Sequence, residues 1–180
     1  GQDAATQADA MGRWRVSLAP MAAGGPFEMA VSGKNSLRLQ DILVGDVWIC
    51  SGQSNMEWPM SRVNNAEQEI AAANFPRIRL FSVKHEVADT PQEDLTGEWI
   101  VTTPENIKDF SAVGYFFGRE LHKDLNVPMG LIDSSWGGTP AESWTSSEAL
   151  ARTPSLQPLV DKWQANVAAY DADKAEMDYQ

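Results

Sequence analysis

The sequence predicts an α/β fold, with parallel strands and helices alternating along the chain. Three observations carry that expectation. Residues 46–50, 78–83 and 129–133 are short, nearly continuous apolar runs, the pattern of strands buried in a parallel sheet. Residues 111–123 lie between the second and third runs. There Val113, Phe116, Phe117 and Leu121 form an apolar helical stripe, with Arg119, Glu120 and Lys123 facing water. The first and third runs also end in small, polar, glycine-containing turns, as expected where the carboxyl ends of parallel strands line a ligand crevice.

Taken in order, residues 1–10 are small and polar, the composition of a frayed end or linker. Trp14, Val16 and Leu18 alternate with Arg15 and Ser17, and a second alternation runs through Phe27, Met29 and Val31. Period-two alternation on both sides of Gly24-Gly25-Pro26 predicts two antiparallel strands, and a short strand is expected over 36–40. Ribbons of this size are marginal alone. Residues 1–40 are therefore expected to be a remnant of, or an extension from, a β-rich accessory domain, and residues 41–180 to belong to a different one.

From Asp41 the period changes, and residues 46–50 form the first core strand. Pro59 ends any helix that starts after Ser54, whereas residues 63–74 place Ala66, Ile70 and Ala73 at helical spacing. A second strand covers 78–83, a polar loop with Pro91 and Gly97 covers 85–98, and a short strand covers 99–103. Pro128 stops the 111–123 helix before the strand at 129–133. Right-handed crossovers would cover such a parallel sheet on both faces. From Leu156, the residues Leu159, Trp163, Val167 and Tyr170 predict a further helix, with Asp161, Lys162, Asp171, Asp173 and Lys174 opposite. Its pattern still runs at Gln180 without a glycine or proline stop.

Composition excludes several functions. A chain of 180 residues, 43% hydrophobic and 22% charged, suits an ordinary core-bearing globular domain rather than disorder. A net charge of -11 opposes nucleic-acid binding, which needs a basic face. Seven tryptophans in an acidic chain suit neutral sugars better. Cys50, the single cysteine, excludes an internal disulfide, and its apolar run predicts a buried, inert thiol. No apolar run approaches the ~20 residues that span a bilayer. No His, Cys and carboxylate cluster has ligand spacing, so no metal or organic cofactor is expected.

Two stretches carry the chemistry. In the first, Val47-Trp48-Ile49-Cys50 runs into Ser51-Gly52-Gln53-Ser54-Asn55-Met56-Glu57-Trp58. This is G-x-S-x-M, not the G-x-S-x-G elbow of the α/β-hydrolases. Ser54 has two readings on local chemistry, a nucleophile at a strand end or a turn serine capping the next helix. In the second, Ile132-Asp133-Ser134-Ser135 runs into Trp136-Gly137-Gly138-Thr139-Pro140-Ala141-Glu142-Ser143-Trp144. Its glycines either make a simple tight turn or bring a backbone N–H close to a developing oxyanion.

Residues 41–60, with Gly-Gln-Ser-Asn-Met at their centre, resemble the first sequence block of the SGNH hydrolases. The resemblance is to the branch that contains the sialate O-acetylesterases and related carbohydrate acetylesterases. Gly-Gly-Thr followed by Glu-Ser-Trp resembles that branch's second block, and the likeness covers residues 11 to about 150. It implies a three-layer, flavodoxin-like parallel sheet, first half only, preceded by strands of an accessory β-domain. It also implies Ser54 as nucleophile, with the N–H groups of Ser54 and Gly138 forming the oxyanion hole and Gly137 as the alternative donor. Gln53, Asn55 and Glu142 are candidates for sugar hydroxyls or, with the larger share, for shaping the turns. Trp58, Trp136 and Trp144 either stack on a pyranose or cover the core. Asp46 is expected to hold a neighbouring loop.

The serine needs a histidine oriented by a carboxylate. Only His85 and His122 are present. His122 reads as a surface residue on its helix, and His85 follows no recognisable pattern. In the resembled branch these groups come from a late Asp-x-x-His block, and a Gln-Gly-Glu block adds polar groups; neither occurs here. The expectation is a serine esterase that removes O-acetyl groups from sialic acid or an acetylated polysaccharide through an acetyl-enzyme. Its Asp and His would come from a complementary chain or C-terminal segment. The competing expectation is a non-catalytic carbohydrate-binding or scaffold module. A secreted, periplasmic or lysosomal location is expected, with no signal peptide visible at Gly1, and neither nucleic acid nor membrane as partner.

Overall fold

Strand-forming residues build two separate sheets in the computed structural model, which describes residues 1–88 and 90–169. The chain divides into two compact units, Gly1–Gly137 and Gly138–Gln180, and both sheets lie in the first.

β1 (Gly24–Ser32) and β2 (Ser36–Val44) form an antiparallel hairpin closed at Gly33-Lys34-Asn35, with Ser32 opposite Ser36. The expected Gly-Gly-Pro turn is instead the start of β1, where Gly24 lies opposite Val44. Trp14, Val16 and Leu18 form no strand and are exposed. Alternation fixes a strand only where an edge and an apolar surface are available to receive it, and residues 13–22 meet neither. The hairpin is tied onward by Asp41, whose carboxylate accepts from the Arg79 guanidinium at 2.8 and 2.9 Å. That bond holds the Asp41 carboxyl below its usual range.

The main sheet runs in the order β3-β6-β4-β5, from β3 (Asp46–Gly52), β4 (Phe75–Ser82), β5 (Trp99–Thr102) and β6 (Met129–Ser135). β3, β6 and β4 are parallel, whereas β5 pairs antiparallel at the edge, so the sheet is mixed. Asp46 is exposed, and its backbone N–H donates to the Pro128 carbonyl. It joins the starts of two strands and does not hold a loop by its side chain.

One face of this sheet carries the core. Cys50, Ile78, Leu80, Met129 and Leu131 alternate into it and meet Met60, Ala73, Ile107, Phe110, Ala112 and Tyr115. α2 (Ala66–Ala71) is shorter than its predicted span, because Asn65 takes a left-handed φ of 57° immediately before it. α3 (Ala112–Leu125) begins at Ser111, whose hydroxyl accepts the Gly114 N–H at 3.0 Å, the bond expected of an N-cap serine. Its buried residues are Ala112, Gly114, Tyr115 and Gly118, while Val113 and Phe117 of the predicted stripe stay substantially exposed. Glycine decides this. A Cβ at Gly118 would stand 2.6 Å from Leu131 Cδ1, and one at Gly114 2.8 Å from Cys50 Sγ. The helix lies on the sheet through its smallest residues, which a count of apolar side chains ignores.

Coverage of both sheet faces was expected, but Val47 is 61% and Ile49 70% exposed on the opposite face of β3. In the second unit, α4 (Ser147–Ala151) and α5 (Gln157–Ala168) contain no buried residue. The predicted α5 stripe is present through Leu159, Trp163 and Val167, all exposed. Tyr170, Asp171, Asp173, Lys174 and the continuation to Gln180 lie outside the described residues.

Candidate active site

Parallel pairing places the two chemistry-bearing turns next to each other. β3 and β6 are adjacent and in register, with Gly52 opposite Ser135 as the last pair. From there the chain enters α1 (Ser54–Glu57), whose N-cap is Gln53. The Gln53 carbonyl accepts the N–H groups of Met56 and Glu57 at 2.9 and 3.0 Å, backbone bonds that close the turn. Ser54 is therefore the first helical residue, not the cap, and it is exposed at the carboxyl edge of the sheet. Gln53 and Asn55 flank it, both exposed.

The turn after β6 is held differently. The Trp136 N–H donates to the Gly52 carbonyl at 3.0 Å, and the Gly137 N–H donates to Glu57 Oε2 at 2.8 Å. A Cβ on residue 137 would overlap that carboxylate oxygen and stand 3.2 Å from Ser54 Oγ, so a side chain there would push the Glu57 carboxylate off the turn. His85 approaches from the loop after β4. Its Nε2–H donates to the Ser135 carbonyl at 2.8 Å, and its ring stacks on Trp136 at 4.2 Å between centroids and 5° between planes. Nε2 also lies 3.7 Å from Glu57 Oε1. A nitrogen that donates to a carbonyl has no lone pair with which to take a proton. His85 Nε2 thus serves the turn and not the Ser54 hydroxyl.

Beneath the two turns lies Asp133. Burial raises its pKa above the usual carboxylate range, and the Glu57 charge pushes the same way. A bond from the Ser135 hydroxyl at 2.5 Å opposes the rise, as does the Ser111 backbone N–H. Burial likewise raises the Cys50 thiol, with Asp133 adding to the effect, and the cysteine is buried as expected.

The remaining candidates are dispersed. Gly138, at φ +80°, and Glu142, in the 3₁₀ turn Ala141–Trp144, belong to the second unit. There the Trp144 indole N–H donates to Thr139 Oγ1 at 2.8 Å. Trp58 does not cover the core: it is 44% exposed, with the Arg62 guanidinium 5.9 Å from its ring centre. His122 is not a merely solvated residue. Its Nδ1–H donates to the Val127 carbonyl at 2.7 Å, and its ring meets Phe75 edge-on. Sequence reasoning overlooked Glu57 and Asp133. Helical spacing was a signal for Glu57, since three residues past Ser54 on a helix is the same side. Among the described residues, no group of three or more His, Cys, Asp or Glu side chains could hold a metal ion.

Comparison with known proteins agrees with this architecture. Residues 44–176 match a family model described as carbohydrate esterase, sialic acid-specific acetylesterase. The chain is 42% identical over 151 residues to the sialate O-acetylesterases of Pongo abelii and Homo sapiens, an alignment covering 76% of this chain and 29% of each relative. It is also similar to the crystal structure of XAC1771, a carbohydrate acetylesterase from Xanthomonas citri. That likeness has a TM-score of 0.77 and 44% identity, over 81% of this chain and 34% of the other. The chain thus spans about a third or less of the length of these relatives.

Proposed function

Because the chain belongs to the sialic acid-specific acetylesterase family of carbohydrate esterases, we propose that it carries the nucleophile half of a serine esterase acting on O-acetylated carbohydrate. The observation that carries this reading is the meeting of Ser54 with Gly137. An exposed serine at the end of β3 faces a turn from β6 whose backbone approaches to within the space of one side chain.

In the proposed reaction the Ser54 oxygen attacks the acetyl carbonyl and its proton passes to a histidine. The tetrahedral oxyanion forms against backbone N–H groups, and the sugar hydroxyl leaves with a proton. Water then hydrolyses the acetyl-enzyme by the same path. The Ser54 N–H is one oxyanion donor. Gly138 supplies the other, because the N–H of the alternative, Gly137, is already given to Glu57. Gln53, Asn55 and Glu142 are proposed to meet the sugar. The histidine and its aspartate come from a further segment or complementary chain. The exposed apolar face at Val47 and Ile49 supports such a segment, because sheet faces of this composition are ordinarily covered. Residues 1–40 fit the reading as part of an accessory β-domain, their exposed Phe27, Met29, Leu37 and Leu39 suiting cover by further strands. A secreted, periplasmic or lysosomal location follows from the same reading.

A fluorophosphonate probe tests the nucleophile: labelling at Ser54 that disappears in Ser54→Ala supports the esterase. No labelling in the presence of the completing segment would favour a non-catalytic sugar-binding module. Full acetylesterase activity from residues 1–180 alone, with mass confirmed, would refute the need for another segment.

A further inference from the structure

We propose that Glu57 is a positioning residue for this reaction, acting with His85 as a clamp that sets the distance between the nucleophile and the turn after β6. The proposal rests on the reading of Ser54 as nucleophile. Three consecutive residues of that turn are gripped by these two side chains. His85 takes the Ser135 carbonyl and stacks on the Trp136 ring, and Glu57 takes the Gly137 N–H. The side chains themselves lie 3.7 Å apart.

Glu57 is well placed for this because it is three residues beyond Ser54 on α1. The carboxylate links the helix that carries the hydroxyl to a turn 80 residues away in sequence. The role proposed for it is positional: Oε2 accepts the Gly137 N–H, and Oε1 lies toward His85 Nε2. The grip also depends on glycine at 137, where a Cβ would displace the carboxylate. The negative charge beside a site that must stabilise an oxyanion is unfavourable in itself. Its neighbours, the Gly137 dipole and the imidazole, offset that cost.

The test is acetylesterase kinetics in the complete enzyme, with folding followed by circular dichroism and thermal unfolding. Misplacement of reacting groups by a fraction of an ångström to 1 Å is worth about ten- to a hundredfold in rate. Glu57→Ala is expected to lower kcat by that factor with KM changed less than about twofold. Glu57→Gln keeps an oxygen for the Gly137 N–H and is expected to recover most of kcat. The double variant with His85→Ala is expected to lose less than the product of the two single losses, because both grip one turn. Wild-type kcat in Glu57→Ala would overturn the proposal, as would a loss confined to KM or a Gln variant no better than Ala. An active, probe-labelled wild type that ignores Glu57→Ala refutes the clamp alone. A wild type inert to both ester and probe refutes the nucleophile reading and the clamp with it.

Discussion

The turn after β3 and the turn after β6 end neighbouring strands in register, yet they are built by opposite means. The first closes on itself: the Gln53 carbonyl receives two helical N–H groups from residues three and four positions on. The second is held from outside, by Gly52, Glu57 and His85, residues 50 to 84 positions away in the chain. The position of the proposed nucleophile is thus a local property of its sequence, whereas the position of the turn facing it depends on contacts that exist only after the sheet has formed.

Four substitutions would break or sharpen that contrast. Ser54→Ala removes the proposed nucleophile of the first turn without touching its backbone bonds. It is expected to cost at least ~10³-fold in acetylesterase kcat while the thermal midpoint stays unchanged. Gly137→Ala attacks the second turn at its tightest point, since the new methyl group would overlap Glu57 Oε2 and crowd Ser54 Oγ. Roughly a hundredfold loss of kcat is expected from steady-state kinetics, together with weaker fluorophosphonate labelling of the intact Ser54.

Asp133→Asn probes the carboxyl bonded to Ser135 at the end of β6. The folded-state pKa of Asp133 is raised, so the native protein holds that proton more tightly than the unfolded chain. Stability on this account falls as pH rises from the ordinary carboxylate value through the raised one, and is level beyond it. The asparagine variant lacks that fall and keeps an acceptor for Ser135. Urea midpoints against pH should match wild type at the acid end and exceed it near neutrality. His122→Ala is the smallest change and the control for His85. It breaks the same kind of imidazole-to-carbonyl bond far along α3, and should cost about 1 kcal/mol of stability with kcat unaltered.

Much of the fold was legible because its causes are local. The apolar runs at 46–50, 78–83 and 129–133 became β3, β4 and β6, and the helix expected over 111–123 from its apolar stripe became α3. Errors arose where a partner decides the outcome. The alternation at Trp14, Val16 and Leu18 had no strand to join. The α3 stripe was displaced toward Gly114 and Gly118, because closeness to Leu131 and Cys50 outweighed the larger side chains.

The same division applies to the site. Sequence alone determined that a serine follows the first core strand and glycines follow a later one, and its motifs sufficed for the family. Apolar strand runs and the glycine turns are encoded within a few residues, so they survive reading in one dimension. Tertiary structure alone decided that Glu57 caps Gly137, that His85 braces the Ser135 carbonyl, and that Asp133 is half-buried and bonded to the Ser135 hydroxyl. Those are hydrogen bonds and burial between residues remote in the chain, and their partners are chosen by the packing of β3 against β6.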